Sequence, residues 1–175
     1  MPIVKLSHRE LTRDNDVSIL PILNRVAGLY VHSGALNTTR ITIRGIGNRS
    51  LFSTSKIRAY LNDIPISSGI GETTIEDIDM SVIDHIQVYK GPSASLYGAG
   101  LGGVIQMVTH PNNISDSNEL MTGVSIGSYG LERIINGIKL VNDKQTAYLS
   151  VKYHNTSSDG YRENNNYDRK GLNIL

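Results

Sequence analysis

Between Asp84 and Thr109 the chain reads DHIQVYKGPSASLYGAGLGGVIQMVT, an order of residues that few folds can accommodate. Ile86 and Val88 alternate with His85, Gln87 and Tyr89, the period-two pattern of a strand buried on one face. Gly91-Pro92 stops it, because proline has no N–H and a fixed φ. Five glycines (Gly91, Gly98, Gly100, Gly102, Gly103) fall within thirteen residues. Such a density implies backbone that turns at positive φ or passes close against other backbone. Val104 to Val108 (VIQMV) then reads as a second strand, apolar enough for burial on both faces, and His110-Pro111 ends it. Gly98, Gly100 and Gly103 also spell G-x-G-x-x-G. The dinucleotide fingerprint, however, needs a strand before it and a helix N-terminus after it. Here a polar Pro-Ser-Ala-Ser segment precedes the glycines and a strand pattern follows, so the nucleotide reading fails on context.

This stretch resembles the plug domain of TonB-dependent outer-membrane receptors. That family carries I-x-V-x-[KR]-G-P, then S-x-L-Y-G, then G-G-x-I-x-[IM]-V-[ST]. The chain has Ile86-Gln87-Val88-Tyr89-Lys90-Gly91-Pro92, Ser95-Leu96-Tyr97-Gly98 and Gly102-Gly103-Val104-Ile105-Gln106-Met107-Val108-Thr109, in that order. Upstream, Leu20 to Val31 is similar to L-L-x-x-V-P-G-V-x-V, with Ala27 at the usual proline. Arg40-Ile41-Thr42-Ile43-Arg44-Gly45 is similar to the I-x-I-R-G strand, with Ile41 and Ile43 inward.

The rest of the plug-like part follows from local pattern. Ile3 to Leu6 reads as a short strand. Ser18 is the predicted N-cap of a helix over Ile19 to Val26 that ends at Gly28, with Pro21 at the third helical position, where its missing N–H has no intrahelical partner. Ile57 to Leu61 alternates as a strand. Asn62-Asp63 follows where the family has D-G, so the turn there is strained or of another type. The five histidines (His8, His32, His85, His110, His154) have no metal-ligand spacing and read as solvated or strand-face residues. Glu72, Glu76, Asp77, Asp79 and Asp84 lack the D-x-D-x-D-G order of a calcium loop and read as a solvated acidic surface. Ser93 and Ser95 lie outside any G-x-S-x-G elbow. No catalytic constellation and no cofactor motif emerges.

After Pro111 the character changes. Residues 112–118 form a polar linker. Beyond it, Leu120, Thr122, Val124 and Ile126 share one face, Ile134, Ile138 and Leu140 a second, and Ala147, Leu149, Val151 and Tyr153 a third. Their opposite faces hold Ser125, Lys139, Ser150 and Lys152. A short Asn142-Asp143-Lys144 turn and a longer Thr156 to Tyr167 loop connect them. Strands that are apolar outside and polar inside, joined alternately by short and long connections, suit a transmembrane β-barrel, and a soluble sandwich gives the same alternation.

Net charge is +1, which removes any expectation of a nucleic-acid partner. Cysteine is absent, so neither disulfides nor thiolate metal sites arise. No run of about 18 apolar residues exists to form a membrane-spanning helix. Met1 is followed by PIVKLSHRE, which is not a secretory leader, and for an outer-membrane protein that implies a processed or partial chain.

The resemblance implies an α+β plug (a small mixed sheet with short helices) over residues 1–111, followed by antiparallel strands of an incomplete transmembrane barrel over residues 119–175. Receptors of this family are barrels of about twenty-two strands with a plugged lumen. They bind a scarce extracellular nutrient, iron–siderophore foremost, or haem, cobalamin or a glycan. The periplasmic protein TonB pulls on a segment before the plug. Outer-membrane lipid surrounds the barrel in a Gram-negative host. By the same resemblance Arg44 and Lys90 are plug–barrel latch candidates. Ser33, Asn37, Thr38, Thr39, Ser67, Ser68, Glu72 and Thr73 are candidates for the substrate side. Gly45, Gly91, Pro92, Tyr97, Gly98, Gly102 and Gly103 are the structural motif. The rival expectation is a plug-like ligand-binding or signalling module with a soluble β-domain and no transport role.

Overall fold

The computed structural model describes residues 2–13, 17–35, 38–47, 54–68, 71–73, 75, 78–92, 97–98, 100–110, 117–144 and 146–175. The chain forms two compact units, Met1–Thr109 and His110–Leu175.

In the first unit, β1 (Ile3–Leu6) pairs antiparallel with a strand from the far end of the unit, Ile3 facing Tyr89. A short helix unforeseen from the sequence follows, α1 (His8–Leu11). Its start is fixed by Ser7 and Glu10: the Glu10 carboxylate accepts from the Ser7 N–H at 2.8 Å and from its hydroxyl at 2.7 Å, which holds the carboxyl below its usual range. The spacing S-x-x-E was the readable signal.

The second helix, α2 (Leu20–Leu23), is half the predicted length and begins one residue later. Ile19 is already in helical conformation, so Ser18 lies outside the cap, although its hydroxyl still accepts from the Leu20 N–H at 3.3 Å. The early end has a cause. The Asn24 side chain bonds both backbone groups of Val31, at 2.7 and 2.9 Å. That pulls the chain out of the helix, through tight bonds from the Arg25 N–H to Ile22 O and the Val26 N–H to Leu23 O, toward Gly28 at φ +81°.

Next, β2 (Leu29–Ala35) and β3 (Thr38–Ile43) make a two-stranded ribbon, with a bulge between Ser33 and Ala35. Leu29, Val31, Ile41 and Ile43 fall on its buried face, as the alternation requires. β4 (Ile57–Leu61) turns into β5 (Ile64–Pro65) through Asn62 (φ +47°) and Asp63 (φ +68°). Two consecutive left-handed residues are a type I′ turn, which resolves the missing glycine: Asn and Asp tolerate that region. The Asn62 amide also binds Thr109 twice, donating to its hydroxyl at 2.7 Å and accepting its N–H at 3.0 Å.

A 3-10 turn at Met80–Val82 is capped by the Asp79 carboxylate, which accepts from the Ser81 N–H at 2.9 Å. Asp79 is buried, so the acidic segment is not wholly the solvated surface expected of it. β6 (His85–Lys90) and β7 (Gly103–Val108) complete the unit. The sheet runs β1-β6-β7-β4-β5, with β7 antiparallel to β6 and parallel to β4. β7 runs between β6 and β4, and all its residues but Gln106 are buried. The packed cluster from Leu6 to Met107, including Ile22, Leu23, Ile43, Ile57, Ile86, Val88 and Ile105, lies wholly inside this unit.

The second unit is a meander of β8 (Glu119–Gly127), β9 (Leu131–Val141), β10 (Tyr148–Ser158) and β11 (Tyr167–Ile174), neighbours in chain order. Register puts Leu120 beside Ile138, Leu140 beside Leu149 and Tyr153 beside Leu172, so the apolar residues form one continuous face. That face is the open one: Leu120 is 85% and Ile126 81% exposed, whereas Arg133 and His154 on the other face are 2% and 3%. Arg133 donates there to the Thr156 hydroxyl at 3.3 Å. Of the histidines, His85 and His154 are buried residues on strand faces, one of the two environments expected of them. An exposed apolar side over a buried polar one inverts the pattern of a soluble sheet and matches a barrel wall facing lipid.

Candidate functional site

The two basic positions converge on one turn. Arg44 and Gly45 both have positive φ, closing a turn in which Ile43 and Ile46 exchange two backbone hydrogen bonds. A left-handed arginine costs on the order of 1–2 kcal/mol. The conformation leaves its side chain exposed while its N–H donates to Gly28 O at 2.8 Å. Lys90 shares the core face of β6 with Ile86 and Val88 and is buried, its ammonium donating to Ala27 O at 2.7 Å. Both residues therefore grip the Ala27-Gly28 turn, one by backbone and one by side chain. Of the pair, only Arg44 presents an exposed cation.

The loop candidates divide. Ser33 is half-buried at the ribbon's bulge, Thr38 opens β3, and Asn37 lies outside the described residues. Thr39 is buried. In the second loop Ser67 pairs with Thr73, and Ser68 holds Glu72 by a backbone bond at 2.8 Å and through its hydroxyl at 3.2 Å. Thr73 is buried and its hydroxyl donates to Ile57 O. Both threonines are thus buried, and the Thr73 hydroxyl is committed to an internal acceptor. Ser33, Ser67, Ser68 and Glu72 remain accessible.

Gly98 and Gly91 take positive φ, and Pro92 is exposed. Gly103, at φ +145°, passes so close to β6 that a Cβ would fall on the Tyr89 carbonyl. At Gly102 a Cβ would lie 2.9 Å from Ile46 Cγ2 and 3.0 Å from Ile57 Cγ1. The segment is bonded on both sides, with Gly91 N–H to Gly102 O at 3.1 Å and Gly102 N–H to Lys56 O at 2.9 Å. A strand follows the glycines, where the nucleotide fingerprint would need a helix.

One arrangement escaped the sequence. The sheet face opposite the core carries His85, Gln87 and Tyr89 from β6, Gln106 from β7 and Tyr60 from β4, Gln106 lying beside both Gln87 and Tyr60. The Tyr97 ring packs against Tyr60 and Tyr89, centroids 5.3 and 5.4 Å apart, and its carbonyl accepts the Tyr60 hydroxyl at 2.8 Å. Gln106 donates to the Asp63 carboxylate at 2.6 Å. Burial, helped by Tyr97, pushes the Tyr89 hydroxyl up to about 12. The alternation of His85, Gln87 and Tyr89 was the available signal; their partners lie on other strands. Among the described residues no group of three His, Asp or Glu side chains could hold a metal ion.

Residues 1–104 match the family described as TonB-dependent Receptor Plug Domain. The vitamin B12 transporter BtuB of Vibrio vulnificus (strain CMCP6) is 26% identical over 121 residues, 67% of this chain and 19% of that protein. The hemin receptor of Yersinia enterocolitica is 30% identical over 100 residues, 56% of this chain and 14% of that protein. The crystal structure of the ferric yersiniabactin uptake receptor FyuA from Yersinia pestis superposes with a TM-score of 0.68 at 21% identity, covering 99% of this chain and 27% of that one, a likeness of fold. The chain spans 14–19% of the length of these curated relatives. Plug motifs, a mixed sheet closed by glycines, and a polar-inside meander behind it agree with that match, and the chain belongs to the TonB-dependent receptors of the Gram-negative outer membrane.

Proposed function

We propose that the chain is the plug (residues 1–111), linker (112–118) and first barrel strands (119–175) of a receptor that takes up a scarce nutrient by TonB-driven transport, with a ferric siderophore as the foremost substrate. The inverted second unit carries this reading. An apolar face as open as that of Leu120 and Ile126 is costly in water, at about 25 cal/mol per Å² of apolar surface, and costs nothing against lipid. It disfavours the soluble-module alternative. A wide barrel leaves an aqueous lumen, so selectivity needs a folded stopper, and the first unit has its own core to serve as one.

Ferric siderophore uptake is named by the structural relative FyuA, cobalamin and hemin by sequence relatives. In this reading Arg44 is the latch cation, and Lys90 braces the plug from within. Ser33, Asn37, Thr38, Ser67, Ser68 and Glu72 are the substrate-side candidates carried into this reading. The full-length receptor is tested in a Gram-negative host stripped of its own siderophore, haem and cobalamin receptors. Growth on ferric siderophores as sole iron source, lost when TonB is deleted, is the expected result. Growth on haem or cobalamin alone would reassign the substrate, and TonB-independent growth would overturn the transport reading.

A further inference from the structure

The polar face of the sheet is wired in one direction. The Asp84 carboxylate accepts from His85 Nδ1 at 2.8 Å, so that nitrogen carries a proton. The Gln87 amide nitrogen lies 3.2 Å from His85 Nε2, a contact in which the amide donates and Nε2 accepts. The Gln87 carbonyl then accepts the Tyr89 hydroxyl at 2.7 Å. A second acceptor for that hydroxyl, Gln106 Oε1, lies 3.4 Å away on β7, and the Tyr97 hydroxyl points at the same oxygen from 3.5 Å.

We infer that Asp84, His85, Gln87, Tyr89 and Gln106 form a proton-operated switch, in which charging His85 reverses the Gln87 amide and hands the Tyr89 hydroxyl from its own strand to Gln106 on β7. The physical reason is donor counting. A charged imidazole donates from both nitrogens, and an amide N–H₂ cannot face Nε2–H. Turning the Gln87 amide over presents its carbonyl to Nε2 and its N–H₂ to the Tyr89 oxygen. Tyr89 must then place its proton elsewhere, and Gln106 Oε1 is in reach. The amide has two orientations and no intermediate, so the response is all-or-none. Tyr89 keeps its proton throughout, since burial holds the hydroxyl far above neutrality.

The charges around His85 permit this step. Asp84 pairs with it directly. From β1, Lys5 sits opposite Gln87 on the same face; from α1, the His8 ring approaches Ile83 O at 3.3 Å. β7 offers only Val108 opposite His85, β4 brings Arg58 to this face, and the β4–β5 turn brings Asp63 to the far side of Gln106. Histidine is the side chain that changes charge between about pH 5 and 8. The outcome is read at the Tyr97-Gly98 turn, because Tyr97 competes for Gln106 and stacks on Tyr89.

The test uses the 175-residue chain in detergent, with nitrogen-15 spectra of the His85 ring and carbon-13 spectra of the Tyr89 ring from pH 5 to 8.5. The expected result is the Nδ1–H tautomer at high pH and a Tyr89 shift that follows His85 with the same midpoint. In Gln87→Leu, His85 still titrates and the Tyr89 response falls at least threefold. An Nε2–H tautomer at high pH, or no titration of His85 in this range, would overturn the switch without any variant being needed. A Tyr89 response as large in Gln87→Leu as in the parent would overturn it too, showing only the field of the charge.

Discussion

Replacing Gly103 with alanine puts a methyl group where the sheet has no room for one. At φ +145° an L-residue is strained by about 1–3 kcal/mol. The new Cβ also lands on the Tyr89 carbonyl, which is backbone inside the β6–β7 ladder and cannot swing aside as a side chain would. Relief requires the strands to part near the Lys90–Gly103 pair, and each buried backbone group left unsatisfied costs about 1–3 kcal/mol. With one such group the total is about 2–6 kcal/mol, a large share of the 5–15 kcal/mol typical of a domain. Gly98→Ala is the control: φ is +67° and a Cβ there would meet no atom of the described residues within 4 Å, so the left-handed penalty of about 1–2 kcal/mol applies. Residues 1–111 are the material, because the buried cluster is complete within them. Urea unfolding followed by circular dichroism should show the Gly103 variant about 2–3 kcal/mol below the Gly98 variant. Equal losses would refute the argument that backbone approach, and not left-handedness, fixes the motif.

Further outcomes follow from other contacts. In the full-length receptor, Arg44→Ala should raise permeability to large antibiotics with little change in plug stability, whereas Lys90→Ala should destabilise residues 1–111 by about 1.5–3 kcal/mol through loss of the charged hydrogen bond to the Ala27 carbonyl; unchanged permeability in the first case removes the latch role. Residues 1–111 should elute as a monomer in detergent-free buffer while 1–175 aggregates or leaves its tail unprotected, by size-exclusion chromatography and hydrogen exchange; a monodisperse 1–175 with a protected C-terminal sheet would restore the soluble module. Tyr89 should ionise near 12 in a spectrophotometric titration. Its folded value lies above the unfolded one, so its contribution to stability is intact below about pH 10 and fades as pH rises toward 12; ionisation near 10 in the folded state would contradict the burial argument.

The sequence made the strands readable because each buries one face, and period two records that: Ile41 and Ile43, Ile57 to Leu61, and the meander from Leu120 all lie where alternation put them. Helices four residues long record almost nothing. α1 shows only as Ser7 and Glu10, and α2 is cut short by an amide seven residues from its partner. Buried polar residues were hardest. Thr73 looks like any loop threonine until its acceptor at Ile57 is known, and His85 and Lys90 look solvated until Asp84 and Ala27 are placed beside them. Polarity says what a side chain needs, and only tertiary structure says whether the need is met indoors.

The pairing of β1 with β6 also sets a timetable. Ile3 and its partner Tyr89 stand at opposite ends of the unit's sequence, and β7, later still, flanks β6 on its other edge. Pairings so distant in sequence close slowly, because loop entropy must be spent before any contact rewards it. The unit therefore has no early local nucleus that could lock its N-terminus into a sheet. A polypeptide bound for an outer membrane has to be threaded through an inner one unfolded, and a fold whose first strand waits for its last hairpin stays threadable until it has been delivered.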